Sequence, residues 1–210
     1  MCVRAAFACA CARKHPVAPP LTLPHARLAA ARRGAGTLFN EGDCVSEFDV
    51  ASVVSTFEAL DGLTSPHGLL GMGRLIDTNS GGPADKLGLA DVHDVHSYPY
   101  PAAPVPSATQ YAEVGEYGGL GVFVAGHSWR DGACYTYLER PTPQAFVDSA
   151  VAFLGSLAMA RDLVSAAILT QATDVECECD GLMNYDRSLK FDDAQTAMIA
   201  KANAAFLYGA

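Results

Sequence analysis

The chain has 210 residues, 50% hydrophobic and 18% charged, with a formal net charge of −9 from 14 basic and 23 acidic side chains. Apolar content at this level excludes a disordered tail, and no apolar run reaches the roughly 18 residues that a bilayer crossing needs, so one core-forming domain, or part of a larger one, is expected. Residues 1–40 carry six basic side chains and no acid, which leaves 8 basic and 23 acidic residues in the remainder; such an acidic body excludes nucleic acid and anionic membrane as partners, since both need a Lys/Arg surface.

Residues 1–36 are a basic Ala/Arg/Pro-rich leader with no sustained period of two or 3.6, expected to be disordered and outside the fold. Arg4 and the apolar run at 5–12 give a signal-peptide reading, but the run is short and Pro16, Pro19 and Pro20 follow at once. A transit-peptide reading lacks serine, the first of which is Ser46. A cytoplasmic location is the default expectation. Seven cysteines, at 2, 9, 11, 44, 134, 177 and 179, match neither a zinc framework nor a regular disulfide scaffold, so structural or incidental thiols are expected.

From residue 37 strands and helices alternate. A TLF run ends at Asn40. Asp49 can cap a helix bearing Val50, Val53, Val54, Phe57 and Leu60, with Gly62 past its end. Residues 74–77 (RLID) and 92–96 are β-like and lead into turn-rich NSGGP and SYPYP; 111–115 is a further strand, ending at Glu116. Thr142 as cap and Pro143 at the first position open a helix with the face Phe146, Ala150, Phe153, Leu154 and Leu157. Residues 164–169 (VSAAIL) read as a buried parallel strand. A last helix, from about 193 to 208, places Ala197, Met198, Ala202, Ala205 and Phe206 on one side. The layout is α/β.

Polar residues collect where these strands end: Asn40 and Glu41, Asp77 and Asn79, His96 and Tyr98, Glu116, then Gln171 and Asp174. In a (β/α)8 barrel such positions face one end, where active sites lie. Paired carboxylates are what glycosidic cleavage requires, one protonated to donate to the leaving oxygen and one ionised to attack the anomeric carbon. Glu41 and Glu116 are candidates; exposed glutamates at strand ends are also common.

The segments F-N-E-G (39–42), R-L-I-D-T-N-S-G-G (74–82), D-V-H-D-V-H-S-Y-P (91–99), E-Y-G-G-L-G (116–121), G-H-S-W (126–129), T-Q-A-T-D-V-E (170–176) and N-Y-D-R (184–187), in this order, resemble the C-terminal part of the catalytic barrel of family 2 glycoside hydrolases, the β-galactosidase and β-glucuronidase group. The resemblance covers roughly residues 38–190. It implies a partial (β/α)8 TIM barrel of about strands 4 to 8, incomplete at its N-terminal side, within residues 37–210. It also implies a retaining O-glycosyl hydrolase acting on β-linked sugars, with Glu41 as acid/base, Asn40 holding the sugar 2-hydroxyl and Glu116 as nucleophile. Tyr98 would hydrogen-bond the nucleophile and His96 line the sugar site. Asp43 and Cys44 stand where the family continues with Trp-Gly.

A carbohydrate substrate is therefore the expected partner, with neither cofactor nor metal. His93 and His96, three apart on a strand, point to opposite faces, and the acids at 174, 176 and 178 read as a turn with exposed acids rather than a calcium or soft-metal loop. Trp129 is either a sugar-stacking platform or a packing anchor. Five strands of a barrel leave an open sheet edge through which the chain could self-associate, and a catalytically silent fragment serving carbohydrate binding or association is the alternative function.

Overall fold

The computed structural model describes residues 35–40, 48–61, 75–82 and 88–209. Residues 1–34, Glu41, Asp43, Cys44, Gly62 and Arg74 lie outside the described residues. In chain order the elements are β1 (Ala35–Asn40), α1 (Val50–Asp61), β2 (Leu75–Ser80), β3 (Val92–Ser97), β4 (Tyr111–Gly118), β5 (Leu120–Gly121), β6 (Leu138–Glu139), α2 (Pro143–Met159), β7 (Val164–Thr170) and α3 (Asp193–Tyr208).

The fold is mixed α/β with small parallel sheets. β1 pairs with β2, Asn40 standing opposite Ser80, and β3, β4 and β7 form a second sheet in that order. The two sheets meet at β2 and β3, where Asp91 N–H donates to Ile76 O at 2.8 Å and Ser80 Oγ donates to Asp94 Oδ2 at 2.6 Å. Strand order thus follows chain order without reversal, and among the described residues the strands do not close into a barrel. β5 and β6 add a two-residue parallel pair beside the C-terminal end of β4.

The helices form where capping and apolar period agree. Asp49 Oδ1 accepts from Ser52 N–H, and Val50 and Val54 bury beneath α1 against Ile76. Thr142 Oγ1 accepts from Ala145 N–H, Pro143 opens α2, and Phe146, Val147, Ala150 and Leu157 pack on Val114 and Tyr117 of β4 and Leu120 of β5. α2 is the crossover between parallel neighbours β4 and β7. α3 starts at an Asp192–Gln195 capping box and lies on α2. Its packed side carries Ile199, Ala202, Ala205 and Phe206; Ala197 and Met198, expected on that side, are exposed. Small alanines all round this helix leave its apolar face poorly defined by sequence.

Two strands run further than their apolar residues announce. β2 continues past Asp77 through Thr78 and Asn79 to Ser80, and all three of the residues from 77 to 79 are buried; Thr37 Oγ1 donates to Asp77 Oδ2 at 3.1 Å. β4 runs to Gly118 and so contains Glu116 rather than ending before it. β1 begins at Ala35, two residues before the boundary expected at 36/37.

Candidate active site

Glu116 owes its direction to an irregularity in β4. On the β3 side Asp94 stands opposite Glu113 and His96 opposite Glu116; on the β7 side Val114 stands opposite Ala167 and Tyr117 opposite Leu169. Three steps along β4 match two along each neighbour, so β4 holds one extra residue, and Gly115 is the one that pairs with neither side. Val114 and Tyr117, three apart, consequently both bury in the core against α2. Glu116 between them turns to the other face, which strict alternation from Val114 would have denied it. A Cβ at position 115 would fall on the Asp94 carboxylate, and Gly115 N–H donates to Asp94 Oδ1 at 2.5 Å.

Around Glu116, itself only 4% exposed, the ends of three other strands, β2, β3 and β7, contribute polar groups. Tyr98, just after β3, places its hydroxyl 2.5 Å from Glu116 Oε2 and 2.7 Å from Thr170 Oγ1. A phenol has one proton; given to the carboxylate, it leaves Thr170 as donor in the second bond. His96 Nδ1 is 3.5 Å from Glu116 Oε2, and its Nε2 is 2.8 Å from Ser80 Oγ. Gly81, with φ of +66°, gives the His96 ring its space, since any Cβ there would overlap it. Tyr98 is held in turn by Tyr137, whose ring stacks on it, and by backbone bonds from Gly118 N–H to Pro99 O and from Gly119 N–H to Thr170 O.

Two loops at this end of the sheet are fastened together. The segment between β5 and β6 carries Cys134, disulfide-bonded to Cys179 in the segment after β7, and Tyr135 exchanges backbone bonds with Cys177 and Cys179. His127 Nδ1 lies 2.7 Å from Asp186 Oδ2, and Trp129 meets Tyr185 edge-on at 5.0 Å. Bonds from Ser188, then from His127, hold the Asp186 carboxyl down to about 2. Beneath them Lys190 Nζ, with no exposed side-chain surface, donates to Asp174 Oδ1 at 2.7 Å and to Cys179 O at 3.0 Å, and Gly181 N–H also donates to Asp174. Burial pushes Asp174 up and Lys190 down from their ordinary values, each restrained by the other. Asp180 is pushed up to about 6 by burial, against the hydrogen bond from Gln171 and with the Glu178 charge adding to the rise.

No protein-family model and no curated protein matches the chain. Among solved structures it is similar to an exo-β-agarase, with a TM-score of 0.46 and 16% identity over 75% of this chain and 23% of that one. It is also similar to the apo β-glucuronidase of Ruminococcus gnavus, with a TM-score of 0.43 and 13% identity over 80% of this chain and 32% of that one. The same enzyme with D-glucuronic acid gives a TM-score of 0.42 and 14% identity, with the same coverage. These neighbours are glycoside hydrolases, and the chain spans 23% to 32% of their length.

Of the residues singled out from sequence, Glu116, Tyr98 and His96 come together. Asn40 closes β1 opposite Ser80, the residue that meets His96; Glu41 lies outside the described residues. Trp129 is 56% exposed, and its ring contact is Tyr185. Asp174, read as one acid of an exposed turn, is instead buried on Lys190. The described residues contain no group of three or more His, Cys, Asp or Glu side chains arranged to hold a metal. Sequence reading missed Asp94, Ser80, Thr170, Tyr137 and the disulfide. One signal was present, since a glycine between Val114 and Glu116 inside a strand marks a bulge.

Proposed function

We propose that this chain carries the nucleophile side of a retaining O-glycosidase site for β-linked sugars, on a wall of a (β/α)8 barrel. The observation that carries the reading is Glu116, a nearly enclosed carboxylate turned out of the β4 core and bonded by Tyr98 Oη at 2.5 Å. That hydrogen bond aims one carboxylate oxygen, as attack on an anomeric carbon requires. Parallel strands in unreversed chain order support the barrel wall.

In the reaction, Glu116 attacks the anomeric carbon as Glu41 protonates the leaving oxygen, giving a glycosyl ester on Glu116. Water, deprotonated by Glu41, then releases the sugar with its configuration retained. Asn40, at the last position of β1, would hold the 2-hydroxyl. The test is hydrolysis of aryl β-glycosides across a panel of sugars, with a 2-fluoro glycoside to trap the ester. Turnover abolished by Glu116→Gln, with the label on Glu116, supports the reading; no turnover on any sugar and no label removes it.

A second reading, a sugar-binding or association module without turnover, draws on β7. Its apolar residues from Ala166 to Leu169 are only half-buried, and among the described residues it pairs with β4 alone. Such an edge is a template for another strand, and pairing with a second copy is the expected use. Dimers by light scattering, with sugar binding but no hydrolysis, favour this reading.

A further inference from the structure

We propose that Asp94 is the positioning residue of this site, one carboxylate oxygen holding the β4 bulge that aims Glu116 and the other setting, through Ser80, the orientation and tautomer of His96. The inference rests on the glycosidase reading only for its kinetic consequence. Asp94 is itself buried, and its Oδ2 lies 3.8 Å from His96 Nε2.

Each oxygen has a distinct task. Oδ1 accepts from Gly115 N–H, the amide left over where β4 gains its extra residue. An unpaired amide at a buried bulge would be costly, and this carboxylate satisfies it and occupies the space a side chain at 115 would need. Oδ2 accepts from Ser80 Oγ at 2.6 Å, the short separation of a charge-assisted bond. Ser80 has only that proton to give. Toward His96 Nε2, 2.8 Å away, the same oxygen must therefore accept, so Nε2 bears the hydrogen and Nδ1 is the nitrogen turned to Glu116.

The chain of donors predicts a reversal. In Asp94→Asn, the amide oxygen can still accept from Gly115, but its NH2 must donate to Ser80 Oγ. Ser80 then gives its proton to His96 Nε2, and the neutral ring becomes the Nδ1–H tautomer. Imidazole nitrogen and carbon chemical shifts of His96 read this directly in the full chain. The expected result is an Nε2–H ring in the wild type and an Nδ1–H ring in Asp94→Asn, with kcat on an aryl β-glycoside down about 100-fold and KM within a few-fold, as for a misaimed nucleophile. If Asp94→Asn fails to fold, Ser80→Ala, which leaves the Gly115 bond in place, should release the tautomer preference and lower kcat about 10-fold. An unchanged tautomer in both variants overturns the positioning, even where turnover is observed. The tautomer switch with no turnover in the wild type supports the positioning and overturns the glycosidase reading instead.

Discussion

Tyr137 lies flat on Tyr98, ring centroids 3.9 Å apart and planes 7° from parallel, so the phenol that grips Glu116 is itself clamped by a residue from a different loop. Removing the grip and removing the clamp should differ in degree. Tyr98→Phe keeps the stack but deletes the bond to Glu116, and kcat for an aryl β-glycoside is expected to fall about 100-fold. Tyr137→Leu leaves that bond but loosens it; kcat should fall about 10-fold and stability by about 1 kcal/mol, the scale of an aromatic pair. Steady-state kinetics and urea unfolding of the two variants check the order.

The segment that carries Tyr137 is tied down by the Cys134–Cys179 disulfide, which closes a loop with a sequence separation of 45. The chain-entropy relation gives about 4 kcal/mol for a loop of that size. Cys134→Ala/Cys179→Ala, or reduction of the native chain, should therefore lower the urea midpoint sharply. Near-ultraviolet dichroism from the Tyr98, Tyr135 and Tyr137 rings should weaken in parallel.

Lys190 and Asp174 form a buried pair whose members cannot be removed singly without leaving a charge in the interior. Lys190→Met should cost about 3–5 kcal/mol, while Lys190→Met with Asp174→Leu should recover most of that loss. Thermal melts of the single and double variants, compared as a cycle, measure the difference.

Asp180 binds its proton more tightly in the folded chain than its ordinary value of 3.8, its carboxyl standing at about 6. The folded state then holds more protons than the unfolded one between those values. The contribution is fully present below pH 4 and is lost as pH rises through 6, so stability should fall across this window by at most about 3 kcal/mol. Asp180→Asn, which keeps an oxygen for Gln171 Nε2, should flatten that slope, as urea midpoints taken from pH 4 to 8 will show.

Much of the frame was legible because it rests on local chemistry. Thr142-Pro143 and Asp49 do mark helix starts, and the apolar run at 164–169 is a parallel strand. Glu116, His96 and Tyr98 were found because they follow or end such runs. Where the reading stopped short, polarity was the cause. Asp77, Thr78 and Asn79 ended the apparent strand yet bury inside it, and Asp94, within the β-like run at 92–96, was not singled out although both its oxygens are engaged. The disulfide joins residues brought close only by the two loops that carry them, so spacing along the chain held no sign of it. β5 and β6, two residues each, are too short to show any period.

The bulge at Gly115 lets β4 hold one more residue than its neighbours while its core face and its site face both stay in place. Drawn straight at its present length, β4 would turn position 116 toward α2; with the bulge, Val114 and Tyr117 keep their places beneath the helix while Glu116 faces away from it. Position 116 can thus exchange one functional side chain for another without repacking the interior, and deletion of the single glycine at 115 would leave Glu116 outward and Tyr117 inward in a regular strand while taking away the amide that Asp94 Oδ1 accepts.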